Sequence, residues 1–349
     1  MNTWLVLRRE RPAISLRINL RAIAILLLLL LSSVALLILT ISQGEVSIPL
    51  PEIWRALLHP EGTRDVGPQT LIVRTLRLPR GLIAILVGWA LAVAGTILQG
   101  LTRNPLAAPD VIGINAGASL AAVTLIVLNS SVPVTYVPLA AFGGAFAAAA
   151  LSYALSWKGH SSGARLVIVG IGIAAIGQAL VTLVLTSSQI IQVSKAITWM
   201  AGSVYGRSWE HFWPLLAWLV VLLPTAIVLA RDLDTLHLGD AIASGLGTRV
   251  ERQRALLLLV TVGLAGIAVA TAGPVAFVGL MAPHIGRRLV GANHGVLLPV
   301  AALLGGLILL LADLAGRLLF APVEIPCGVI TAIIGAPFLL YLLYRSRGV

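Results

Sequence analysis

Charge is scarce in this 349-residue chain: 11% of the residues are Asp, Glu, Lys or Arg, and 13 are acidic. Soluble globular domains carry about 25% charged residues, so an ordinary water-facing surface is excluded. A single cysteine, Cys327, rules out an internal disulfide and leaves the redox compartment unread. Lys158 and Lys195, the two lysines, follow Trp157 and Ser194. Neither can close the G-x-x-x-x-G-K-[ST] loop that cradles nucleotide phosphates, so the chain does not hydrolyse ATP. The six histidines include no H-E-x-x-H pair, which removes a zinc protease. Paired catalytic carboxylates are missing too, which argues against an intramembrane enzyme. A bare-metal channel would need clustered His, Cys, Met or carboxylate ligands, and the apolar runs contain little beyond Asp313 and His284. No catalytic residue, metal site or cofactor of the chain's own is expected.

Apolar sequence is what remains. Hydrophobic residues make up 58%, the mean hydropathy is +1.00, and runs long enough to cross a bilayer, roughly 20 residues each, recur throughout. The fold class is therefore an all-α polytopic membrane protein with about ten transmembrane helices. Strands of a barrel would alternate polar and apolar residues, which these runs do not.

Residues 1–21 form a basic cytosolic arm, and 22–345 form one membrane domain. The first span follows Arg21 and is too long for a signal-peptide core. IPLPEIWRALL reads as a short helix at the outer surface, with Trp54 at the interface. The second span runs from about Arg80 to Leu101 and stops at Pro105 and Pro109. Asp110 is placed as the cap of the third. The fourth, from Tyr136 to Trp157, is dense in small residues. The fifth, from Leu166, holds Gly170, Gly172, Gly177 and Gln178, a density that marks tight packing or a pore lining. Trp199, Trp209 and Trp213 suit an outer aromatic belt. The sixth span descends from His211, the seventh follows Arg254, and the eighth is interrupted by Pro283. The ninth covers 295–316, and the tenth ends near Arg345. Sixteen of the 24 Lys and Arg residues then face inward, as the positive-inside rule requires. Both termini are cytosolic.

Residues 231–254, RDLDTLHLGDAIASGLGTRVERQR, form a polar island between two spans. Leu233, Leu236, Leu238, Ile242 and Leu246 alternate there with charged residues. Gly239 breaks a first short helix, Asp240 caps a second, and Gly245 and Gly247 end it. Leucines at such spacing want a groove to enter, so the island is a docking element for a cytosolic partner. Asp313 and Arg317, four residues apart, form a helical ion pair, and His284 packs in a broken segment. Gln99, Asn104, Asn115 and Gln178 either line a path or bond between helices. The basic residues are scattered at span ends, which speaks for anionic lipid and against nucleic acid.

The blocks LRLPR, GWALAVAGTILQGLTRNPLAAPDVIGINAGA, LHLGDAIASGLG, GPVAFVGLMAPHIGRRLVG, LADLAGR and EIPCGVITAIIGAPFLLYLL occur in this order. They resemble the permeases of iron-siderophore and vitamin B12 ATP-binding-cassette (ABC) importers. WMAGSVYGRSW and RDLDTLHLGD are most similar to ferric-dicitrate and other ferric-siderophore permeases. The resemblance implies an importer in a bacterial inner membrane. Its partners are a second permease subunit, copy or paralogue, two cytosolic ATPases that use the ATP, and an extracytoplasmic binding protein. It further implies ATPase coupling at Leu236, Leu238, Gly239, Asp240, Ala243, Leu246 and Gly247, and binding-protein docking at Arg77, Arg80 and Arg317. A gate falls at Asn104, Ser161 and Ser162, and a path along Gly172, Gly177 and Gln178. Gly163 departs from the larger residues expected beside that gate. Vitamin B12 or haem is the alternative cargo. A secondary transporter acting alone is the remaining alternative, and it would show inverted repeats and midplane charges.

Overall fold

A computed structural model describes residues 4–9, 14–44, 46–58, 67–128, 133–157 and 163–346. The basic arm pairs β1 (Trp4–Arg9) antiparallel with β2 (Ile14–Asn19), with Trp4 opposite Asn19. The rest is helical: α1 (Leu20–Ser42), α2 (Leu50–Leu58), α3 (Pro68–Leu71), α4 (Leu78–Thr102), α5 (Ile114–Leu128), α6 (Val137–Ser156), α7 (Gly163–Thr186) and α8 (Ile190–Met200). Then follow α9 (Trp209–Val228), α10 (Ala230–His237), α11 (Asp240–Gly245), α12 (Val250–Ala272), α13 (Val278–Val290), α14 (His294–Leu318) and α15 (Cys327–Ser346). A π-helical turn, Ile72–Arg77, joins α3 to α4.

Among the described residues, eight helical stretches are long and apolar enough to span a bilayer. The other two expected spans are shorter: α5 has 15 residues and α13, which contains Pro283, has 13. The protein is thus a multi-pass helical membrane protein. Two boundaries differ from the sequence reading. The second span begins well before Arg80, because the π turn carries the helix back to Pro68. Asp110 does not start α5: Pro109–Ile112 form a 3-10 turn, and Gly113, at φ +86°, redirects the chain into a helix beginning at Ile114.

α4 is the hub, 89% buried within its most apolar window, whereas α7 and α1 are 17% and 11% buried. Hydrocarbon supplies no hydrophobic force between helices, so close backbone packing must hold them. Glycine provides it: a Cβ at Gly88 would strike the Gly305 carbonyl of α14, and one at Gly95 would strike Gly279 of α13. α12 and α9 pack on the remaining sides of α4. α2 is the expected short surface helix, burying Ile53 and Ala56 while leaving Trp54 exposed.

A side chain at Gly95 must push two backbones apart, a strain of at least about 1–3 kcal/mol. Gly172 has no atom within 4 Å of a built Cβ. Gly95→Val should therefore lose most folded protein in detergent size-exclusion, and Gly172→Val should retain wild-type yield.

Candidate functional site

The island folds as two short helices with a sharp reversal between them. α10 ends at His237, and Gly239 takes φ +113°, a conformation that residues with a side chain adopt only under strain. α11 ends at Gly245, and Gly247 is also left-handed, at φ +84°. The leucines divide by face. Leu233 and Leu236 on α10 and Ala243 on α11 are buried, with Leu233 lying against Gly100 of α4. Leu238, Ile242 and Leu246, four residues apart in turn, are 57%, 54% and 63% exposed. Half of the apolar pattern therefore roots the island in the bundle, and the other half is presented outward. Of the expected coupling residues, Leu238 and Leu246 lie on the presented face and Leu236 and Ala243 on the rooted one.

Asp240 does not cap α11. Gly239 is the cap residue, and the Asp240 carboxylate instead accepts from Arg254 of α12 at 2.8 Å and stands 3.6 Å from Arg103, the left-handed residue that ends α4. Arg254, buried, also donates to Glu251 at 3.0 Å. On the other side, Asp234 accepts from the His294 backbone at 3.0 Å and lies 2.5 Å from its Nδ1, while His237 Nδ1 is 3.3 Å from the Gly100 carbonyl. The island is braced to α4, α12 and α14 at once.

At the opposite end, the three expected docking arginines turn inward, and none stands free on the surface. The Arg77 guanidinium donates to the Ile41 carbonyl at 2.6 Å, to Ser42 at 3.2 Å and to Val46 at 2.5 Å, closing the turn after α1. Arg80 binds Asp313 at 2.8 Å and Glu324 at 2.9 Å, with its guanidinium 5.4 Å from the Tyr205 ring centre. Arg317 lies 3.4 Å from Asp313 and donates to the Thr40 carbonyl at 3.2 Å. The helical pair of Asp313 and Arg317 is present, but the nearer partner of Asp313 is Arg80, 233 residues away.

The expected path residues do not form one surface. Gly172 and Gln178 are exposed on α7, while Gly177 is buried, its Cβ position 3.0 Å from Ala116 of α5. Asn104 turns back on its own loop, its side chain accepting from the Leu106 backbone at 2.9 Å. Ser161 and Ser162 lie outside the described residues; Gly163, which follows them, packs on Thr102 at the end of α4. Gln99 bonds between helices, donating to the Gly279 carbonyl and accepting from Arg287. His284 packs edge-on to Phe338 of α15, 5.7 Å between ring centres. In the turn before α5, burial pushes the Asp110 carboxyl above the usual carboxylate range.

A model described as the FecCD transport family matches residues 26–345. The chain belongs to the FecCD transport family. It is 43% identical to the probable siderophore transport system permease protein YfhA of Bacillus subtilis (strain 168) over 319 residues, 90% of this chain and 92% of that one. It is 42% identical to the Fe(3+) dicitrate transport system permease protein FecD of Escherichia coli (strain K12) over 300 residues, 86% and 92% of the two chains. A solved structure, described as a metal-chelate type ABC transporter in an inward-facing conformation, superposes with a TM-score of 0.82 at 30% identity, covering 92% of this chain and 99% of that one.

In this FecCD chain two features escaped the sequence. The first is a cleft of about 570 Å³ beside α5, α8 and α15, where Asn115 is a polar group among Met200, Pro274, Gly328 and Ile333. Asn115 stood among the polar residues of the spans, but nothing local announced its neighbours. The second is the way Arg80 joins the Asp313 and Arg317 pair. Removing one member of a buried ion network leaves a charge uncompensated, at a cost of about 3–5 kcal/mol. Asp313→Ala should lower thermal stability in detergent the most, and Arg80→Ala should lower it more than Arg317→Ala, because Arg80 makes the shorter contact.

Proposed function

We propose that this protein is the membrane-spanning subunit of an ABC importer that moves ferric-siderophore chelates inward. The observation that carries this reading is the outward apolar face of the island, Leu238, Ile242 and Leu246, on a scaffold tied to three core helices. Exposed apolar side chains gathered on a short polar segment need a groove in another protein. The chain has no phosphate-binding loop of its own, so a separate subunit must bind and spend the ATP.

The ferric chelate is proposed by analogy with siderophore and ferric dicitrate permeases that are similar over most of their length. Such a chelate crosses with its iron already wrapped, so the path needs cavity shape and weak polar contacts instead of metal ligands. With two cytosolic ATPases bound at the islands, the termini of an even number of spans fall in the cytosol. The exposed helix α7, with Gly172 and Gln178, faces a second permease subunit, copy or paralogue, across the path. The gate lies where the end of α4, with Asn104, approaches the start of α7. An extracytoplasmic binding protein docks at the far end. There Arg77, Arg80 and Arg317 shape the surface from beneath, and Arg80, through Glu324, lies nearest to it.

Leu238→Asp and Leu246→Asp should leave the folded yield unchanged and abolish co-purification of the ATPase, because a carboxylate buried unpaired in the contact costs several kcal/mol, roughly 3 or more. Leu236→Asp should instead lose folded protein. Undiminished ATPase recovery with both surface variants would remove the island as the coupling element.

A further inference from the structure

At the end of the bundle opposite the island, the ends of α8 and α12 and the loops that follow α8 and α14 line an open cavity of about 550 Å³. That volume lies within the roughly 300–1,000 Å³ of small-molecule sites. Its wall carries Lys195, Arg207 and Glu324, the hydroxyl of Ser203 and the rings of Trp199 and Tyr205. The charges do not balance. Glu324 is already taken by Arg80 at 2.9 Å. Among the described residues neither Lys195 nor Arg207 meets a carboxylate. Arg207 contacts His211 through one terminal nitrogen at 3.2 Å, and its Nε is buried without a hydrogen-bond partner. Nε itself is shut away from the cavity, but among the described residues the guanidinium charge is left without a carboxylate to neutralise it, and burial holds its pKa below the ordinary arginine value. Unsatisfied buried donors are rare, because each forfeits the hydration it had in the unfolded chain.

We infer that this cavity is the outer receiving site for the cargo, and that Lys195 and Arg207 make it select ferric chelates with net negative charge and free carboxylates over neutral ones. This inference rests on the import reading given above and adds the substrate class. Ferric iron held by two polycarboxylates keeps excess negative charge and unligated carboxylate oxygens, whereas ferric iron held by three hydroxamates is neutral. Arg207 offers a cation whose terminal N–H groups a carboxylate can meet, and Lys195 adds a compact charge on a flexible stem. Trp199 and Tyr205 supply the apolar wall against which the chelate's carbon skeleton rests. Two cations, instead of a closed cage, give attraction that still permits release into the path, as a transport site requires.

The test uses the assembled importer, permease with its ATPase, in nanodiscs of uncharged phosphatidylcholine. Equilibrium binding is measured with radiolabelled ferric dicitrate and with a neutral ferric trihydroxamate. Lys195→Gln and Arg207→Gln should each weaken ferric dicitrate about tenfold, and the neutral chelate by no more than about twofold, as expected for charge-assisted hydrogen bonds made by the anion alone. Arg207→Lys should restore part of the loss, and added salt should weaken the anion alone. Lys195 is exposed, so its variant separates recognition from folding. Wild-type protein that binds both chelates equally, or neither, or a double variant that binds the anion like wild type, overturns the inference. ATP-driven uptake in proteoliposomes with the binding protein tells the two readings apart. Uptake without charge selection removes only this inference, and no uptake of any ferric chelate removes the import reading with it.

Discussion

Because hydrocarbon offers neither hydrogen bonds nor a hydrophobic force between helices, the bundle depends on the close backbone approach of α4 to α13 and α14 at glycine contacts. Gly88 meets Gly305, and Gly95 meets Gly279, with no room for a Cβ between them. The hub made this way reaches both functional ends. One end carries Arg77 and Arg80, and the other carries Gln99, Gly100 and Arg103, which touch α13 and the island. One buried helix thus connects the ion cluster at one end to the island at the other.

Charge follows the same economy of contact. Of the few acids, Asp313 is buried between two arginines, Asp240 ties α11 to α12, and Asp234 ties α10 to the start of α14. Each carboxylate adds a polar tie between segments that also pack through apolar contacts. By contrast, α7 keeps a broad exposed face that includes Ile168, Ile171, Ile176 and Leu183. The rigid and the unpartnered parts of the molecule are therefore separate helices.

The spans and the island were legible in the sequence because hydropathy and glycine breaks act locally: Gly239, Gly245 and Gly247 fall where the chain turns. What escaped depends on partners far along the chain. Arg80 reads as a surface arginine until Asp313, 233 residues on, packs beside it. Gly172 and Gly177 look alike in sequence, yet Ala116 of α5 covers only the second. Asp240 has the composition of a helix cap, but a buried arginine competes for its carboxylate and prevails. Gly239 holds the cap position, so the carboxylate one residue inside α11 is free to meet the guanidinium.

The most direct measurement of the account is hydrogen exchange of the permease in nanodiscs, alone and with its ATPase bound. The amides of residues 238–247 should slow strongly on ATPase binding, while those of the exposed helix α7 remain unchanged. Protection that appears elsewhere on the inner surface and leaves 238–247 exchanging freely would contradict the island as the seat of coupling.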